Sequence, residues 1–322
     1  MEDYPKDLRD FEKRFSTETA CREYLLGLRW PNGFVCPRCE GRKGWVTKSH
    51  KIVCAECLYG TSVTAGTIFQ DTHQPLTNWF RAMWWLTNQK SGLNALSLQR
   101  LLELGSYRTA WSMLHKLRSA MVRPGRDRLA GKVEVDDAYI GGVEKGTRGR
   151  HLEAKALVVV AAEEDGNGIG RIRISRVANA SSKSLHSFIK ESVEPGSQIH
   201  TDDWKGYRGL EKEGYRHKTT TVSKSSQAAH QLLPRVHRLI SLTKRWLLGT
   251  HQGAVSHEHL QQYLNEFVFR FNRRASIHRG KLFYRLVQQS MAVEPLTYQS
   301  LIRDVRGGRR IRKELKEGHH KI

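Results

Sequence analysis

Two regimes of apolar spacing divide the chain. Up to about residue 118 apolar positions recur at helical spacing, and beyond about residue 130 the period falls to two. TNWFRAMWWLTNQ gathers Trp79, Phe80, Met83, Trp84 and Leu86 at helical intervals. Two shorter helical stretches follow, Ser97–Gly105 and Ser106–Arg118, with the break placed near Gly105 and Ser106 suited to cap the second. Such a pair reads as a helix-turn-helix. Trp111, Leu114 and Leu117 would face the core, while Tyr107, Arg108, Ser112 and Lys116 would offer an outer face suited to phosphates and base edges. The bland alternative is a helical hairpin that packs domains together.

In the second regime, GKVEVDDAYIGG reads as a strand running into a glycine turn, AKALVVVAAEE as an apolar β-branched strand, and GIGRIRISRVANA as a half-buried strand alternating Ile with Arg. SSKSLHSFIKESV is an amphipathic helix with a serine cap. SQIHTDDW is a short strand ending in carboxylates, and YRHKTTTV a further strand. LLPRVHRLISLTKRWLLG begins a helix near Pro234 and closes it at Gly249. Three strands, a helix, a strand and a helix, with carboxylates near the first and fourth strands, follow the order of an RNase-H-like mixed sheet. The expected architecture is a multidomain α/β chain. It comprises an N-terminal helical segment (1–30), a zinc ribbon (31–70), a helix-turn-helix-like region (71–128), an RNase-H-like catalytic domain (129–290) and a basic tail (291–322).

The ribbon rests on cysteines. Cys36-Pro-Arg-Cys39 is followed after fourteen residues by Cys54-Ala-Glu-Cys57, with a hairpin, GWVTKS to KIVCAEC, expected between them. Two such knuckles make a four-thiolate cage that suits zinc, and four protein ligands leave no open position, so this Zn2+ is structural. It would fold a small module with little core of its own. A redox pair would not need a second CxxC at ribbon spacing. Cys21, in CREYLLGLRW, reads as a packed thiol.

Charge changes the picture next. The 322 residues carry 54 Lys and Arg against 32 Asp and Glu, a net +22. That excess favours a polyanion, because each neutralised phosphate releases counterions. No apolar run reaches the roughly 18 residues of a membrane span, and the N-terminus lacks a signal core. A cytoplasmic, nucleoid-associated DNA-binding protein is expected, with no membrane partner. Lys145, Arg148 and Arg150 in the loop after the first strand would lie along a DNA backbone. The tail RDVRGGRRIRKELKEGHHKI is expected to be disordered without DNA and to bind phosphates unspecifically.

Asp136 and Asp202, 66 residues apart, would meet on adjacent strands. Two carboxylates held together repel, and divalent cations resolve the repulsion while serving phosphodiester transfer. Mg2+ or Mn2+ suits oxygen ligands. Asp137 and Asp203 compete with them, since successive strand residues point to opposite faces and periodicity does not choose.

VEVDDAYIGG, HTDDWKGY and VHRLISLTKRWLLGTHQGAVSHEHLQQYLNEFVFRFNRR together resemble the ISXO2-like transposases of insertion sequences. CPRC…CAEC, TSVTAGTIFQDTHQPLTNWF and SYRTAWSMLHKLR match that family's N-terminal half, so the resemblance runs from about residue 20 to 275. It implies DDE-type transposition on double-stranded DNA. The element's terminal inverted repeats would be cut, and the freed 3′-hydroxyl would attack target DNA, by a homo-oligomer on paired ends. It also implies Asp136 and Asp202 as the catalytic aspartates. Relatives carry Glu or Asn seven residues before a Lys on the next helix; counting back from Lys244 lands on His237, a departure that keeps a group able to bind metal or move a proton. Lys244 would share its face and touch phosphate. Glu266 is the rival third ligand, and around it Arg270, Arg273 and Arg274 read as phosphate contacts beside packing aromatics. A DNA-binding regulator and a structure-specific nuclease on the same fold are the competing functions.

Overall fold

The computed structural model describes residues 2–123, 125–141, 155–221, 229–253 and 255–302. Its contacts divide the chain into two compact units, 1–123 with 276–322, and 124–275. No helix among the described residues is long and apolar enough to cross a membrane.

The first unit opens with α1 (Leu8–Arg14) and α2 (Glu18–Arg29), whose first-turn amides are capped by Asp7 and Thr17. Cys21 is fully buried on α2, and burial pushes its thiol up to about 12, as a core residue rather than a ligand. A three-stranded antiparallel sheet follows, β1 (Gly44–Val46), β2 (Ile52–Cys54) and β3 (Gly60–Thr61). The β1–β2 hairpin is the one expected; the two-residue β3 was too short to leave an alternating pattern. In α3 (Leu76–Asn88) all five spaced apolar residues, Trp79, Phe80, Met83, Trp84 and Leu86, are buried. The pair α4 (Ala95–Leu101) and α5 (Tyr107–Ala120) follows, with Ser106 accepting from the Thr109 amide as an N-cap. The reversal between them is made by Glu103, at φ +50°, rather than by Gly105. Leu114 and Leu117 are buried as expected, whereas Trp111 is only half-buried.

The second unit is a five-stranded mixed sheet, β4 (Lys132–Gly141), β5 (Lys155–Asp165), β6 (Gly168–Val177), β7 (Gln198–Asp202) and β8 (Arg216–Thr220), in the order β6-β5-β4-β7-β8. β4, β5 and β6 form an antiparallel meander, and β7 and β8 add in parallel beyond β4. A parallel neighbour needs a crossover, and α6 (Ser182–Ser192), capped by Ser181, lies on it. The two faces bury different partners. Val133, Val135, Val159, Ala161 and Ile199 pack with Leu185, Phe188 and Ile189 of α6 and with Tyr207. Val158, Val160, Ala162, Ile172 and Ile174 pack beneath the helices that follow α7 (Ala229–Leu232), namely α8 (Pro234–His251) and α9 (Leu260–Phe271). α8 starts at Pro234 as read, but runs through Gly249 to His251 and stops at Gln252, whose backbone is left-handed at φ +51°. A glycine costs a helix interior only about 1 kcal/mol, which burial of Leu247 and Thr250 outweighs.

The last helix, α10 (Arg279–Ala292), corrects the expected domain boundary at residue 290. Phe283 is fully buried among aromatic rings of the first unit, 5.3 Å from Phe11, 5.6 Å from Phe80 and 5.9 Å from Trp84 between centroids. The second unit closes before it, at residue 275. Gly280 is required there, because a Cβ would overlap the Pro5 carbonyl oxygen.

Candidate active site and zinc cage

Asp136 lies on the central strand, β4, and β7 pairs with it in parallel at a constant offset of 66 residues, Lys132 with Gln198 through Glu134 with His200. Asp136 follows the last residue of β4 paired with β7 by two positions, and Asp202, the last residue of β7, follows that residue's partner by two. Alternation then separates the twin aspartates. Val133 and Val135 point to the α6 face, so Asp137 joins them, accepting a hydrogen bond from the Tyr207 hydroxyl at 3.4 Å. Asp136 faces α8 with Glu134, Ala138 and Ile140. Asp202 shares its parity with His200, the register partner of Glu134, and its Oδ1 accepts from the Trp204 amide at 3.1 Å. Asp203 is paired elsewhere, 3.8 Å from Arg208 and accepting from Thr221.

His237, in the first turn of α8, brings Nε2 to 3.7 Å from Asp136 Oδ2. Lys244 is exposed two turns along the same helix. Glu266 lies elsewhere: it is fully buried on α9, which packs on β6, and pairs with Arg270 at 3.5 Å. Two carboxylates and an imidazole on facing elements form a donor set that fits an oxygen-preferring divalent ion. Among the described residues, the ligand atoms of the four cysteines lie within 4.8 Å of one another.

Sequence reasoning passed over two residues here, Glu134 and Arg235. Glu134 is buried two positions before Asp136, and its carboxylate accepts from the backbone amides of Arg235 (2.8 Å) and Val236 (3.1 Å) and from the Arg235 guanidinium (2.9 Å). The signal was present in VEVD, where a carboxylate on an apolar strand demands a buried partner.

Cys36, Cys39, Cys54 and Cys57 do converge, with Sγ–Sγ separations of 3.6 Å for Cys36–Cys57 and Cys39–Cys54. The amides of Arg38 and Glu56 point at the sulfurs of Cys36 and Cys54, each at 3.4 Å. Desolvation opposes ionisation of Cys36, yet the amides of Arg38 and Cys39 pull its thiol down to about 7. The Gly41 amide favours a thiolate at Cys39, but the neighbouring sulfurs push that thiol up to about 12. Four sulfurs this close cannot all ionise unaided, and a cation that balances their charge is what the cage fits.

The residues expected to touch DNA have varied surroundings. Arg108 is exposed and its guanidinium lies 4.4 Å over the Tyr298 ring. Lys116 is half-buried, and desolvation pulls its ammonium below the usual lysine range against the opposing charge of Asp71. Both line a cleft of about 420 Å3 with His73, Trp79 and Tyr298. Arg270 is engaged by Glu266, Arg273 lies 4.0 Å over Phe269, and Arg274 lies 4.0 Å over Phe271 while donating to Gly170 O. The packing expected of FVFRFNRR is present, and it occupies these arginines. Lys145, Arg148, Arg150 and the basic tail from residue 303 lie outside the described residues.

A mixed sheet, aspartates on adjacent parallel strands and a preceding cysteine cage are the features expected of a DDE-type transposase with an N-terminal zinc ribbon. Residues 128–272 match the family model of the ISXO2-like transposase domain, and residues 16–59 that of the transposase zinc-ribbon domain. The two matches follow one another in the order expected of an insertion-sequence transposase. A relative from Halobacterium salinarum, described as an uncharacterized protein in transposable element ISH50, is 25% identical over 281 residues, covering 80% of this chain and 92% of its own. Among solved structures, the Mos1 strand transfer complex is similar at TM-score 0.28 and 14% identity, over 66% of this chain and 75% of that one. A Mos1 transposase paired-end complex with left transposon end gives 0.27 and 11%, over 66% and 75%. Likenesses so loose carry no inference about this molecule.

Proposed function

We propose that this transposase cuts and joins DNA through Asp136, Asp202 and His237. The observation that carries the reading is the shared face: β4 and β7 pair in parallel as far as Glu134 and His200, each two residues before one of the aspartates, and His237 stands 3.7 Å from Asp136. Mg2+ or Mn2+ held by these side chains would supply the Lewis acidity and charge neutralisation of phosphodiester transfer. The chain's own contribution is placement. β4 and β7 fix the carboxylates on hydrogen-bonded backbone, and α8 presents His237 from above them with Lys244 on the same helix, within reach of a phosphate. Zn2+ in the cysteine cage folds the ribbon and takes no part in the chemistry.

The substrate is double-stranded DNA, read at the element's terminal inverted repeats, with target DNA taken by the freed 3′-hydroxyl. The first unit reads the ends, with α5 offering Arg108 and Lys116 as the second helix of a helix-turn-helix. A homo-oligomer on paired ends acts in the cytoplasm at the nucleoid. Strand transfer on pre-cut ends tests the assignment. D136A and D202A should each lower the rate at least a thousandfold while end binding by gel shift changes little, since charge stabilisation at the transferring group supplies most of such catalysis. Full activity in either variant refutes the site.

A further inference from the structure

We propose that Glu134 is a positioning residue, the clasp that holds α8 in the register at which His237 meets Asp136. This rests on the reading of His237 as a metal-binding side chain. α8 has no capping side chain of its own: Leu233 occupies the N-cap, and Pro234 removes one donor. The cap comes instead from β4. Glu134 Oε2 accepts the amides of both Arg235 and Val236, and Oε1 accepts the Arg235 guanidinium. Arg235 is itself locked, donating to the Gly168 carbonyl at 2.9 Å and the Gly166 carbonyl at 2.8 Å and lying 3.3 Å from Glu164.

Two consequences follow from this geometry. His237 follows Val236 directly, and Asp136 lies two positions after Glu134 on the same face, so the clasp fixes both residues relative to each other across one short closed circuit. Glu134 also has its charge matched by Arg235 and by the positive end of α8. A carboxylate two residues from Asp136 is thereby kept from competing for cations. A buried ion pair contributes little stability over an apolar substitute, and its best-attested use is to specify register.

The test measures Mn2+ binding directly, by the free-ion EPR signal, on the full-length, zinc-loaded protein, beside strand transfer on pre-cut ends. E134Q keeps the side chain's shape but turns an amide toward Arg235. Apparent Mn2+ affinity should fall about tenfold or more, the usual effect of losing a group that orients a metal ligand. End binding and the ribbon's zinc content should not move, and excess Mn2+ should recover part of the strand transfer. In an H237A background E134Q should weaken Mn2+ binding no further. R235Q, which leaves the backbone amides on Glu134, carries the same test if E134Q does not fold, with a smaller loss in the same direction. Unchanged Mn2+ affinity in E134Q and R235Q while H237A weakens it overturns the clasp. Additive losses in the double variant overturn it equally. If H237A itself leaves Mn2+ binding intact, the assignment of His237 fails instead, and the clasp with it.

Discussion

His237 and Glu266 sit on consecutive helices and face opposite demands. His237 is partly exposed beside Asp136, so truncating it removes a polar group that water can replace. Glu266 has no exposure and holds Arg270 in a low-dielectric interior. H237A should therefore abolish strand transfer and leave the unfolding free energy, from urea titration, within about 0.5 kcal/mol of wild type. E266A should cost about 3–5 kcal/mol, because an uncompensated guanidinium is left inside. An E266A protein as stable as wild type, or one inactive with its fold intact, would reverse the two roles. The same scale shows what the sequence could and could not say. The choice between Asp136 and Asp137 turns on which neighbour each face meets, and VEVDDAYIGG is apolar enough to be buried on both. Only the placement of Tyr207 and α8 separates them, and those are long-range contacts with no local signature.

Regular elements were legible where a short-range rule governs them. Two CxxC pairs at ribbon spacing must meet if they share a metal, and β-branched runs punctuated by glycine must be strands. The ends of elements were less legible: α8 crosses Gly249 because its buried face continues, and β3 has only the Gly60–Thr61 pair to announce it. Chelating zinc should unfold the sheet β1–β3, seen as loss of near-ultraviolet signal from Trp45, and weaken end binding. The divalent requirement of strand transfer should stay as it was; a ribbon that keeps its signal without zinc refutes a structural metal. The meander β5–β6 has its own pH signature. Burial opposes ionisation of Glu163, but the Arg171 guanidinium and the amides of Ala130 and Arg171 hold its carboxyl below the ordinary 4.5. A carboxyl depressed by folding stabilises at pH above its unfolded value and loses that contribution as pH falls through the folded one. The stability gap between wild type and E163Q, by thermal unfolding, should be flat near neutrality and shrink as pH drops below 4.5. A gap that widens on acidification contradicts the ion pair.

At the level of the whole molecule the net charge of +22 governs association. Each phosphate neutralised contributes about −0.9 to the slope of log affinity against log salt, so end binding should weaken by on the order of a thousandfold between about 50 and 200 mM salt. A flat salt profile by fluorescence anisotropy would remove the electrostatic account. Domain limits were the least legible feature, since KLFYRLVQQS is an ordinary amphipathic pattern whose partners lie some 200–270 residues earlier. Phe283 among Phe11, Phe80 and Trp84, and Gly280 against Pro5, join the two ends of the chain into one core. This has a consequence for synthesis. Proteins leave the ribosome N-terminus first, and units ordinarily fold in that order. Here the unit spanning 124–275 is complete and free to fold while its predecessor still waits for α10. The unit proposed to read DNA matures last, only after α10 has been made. A gene copy truncated before α10 would accordingly yield a sheet with its carboxylates in place but without the folded unit proposed to bring it to an element's end.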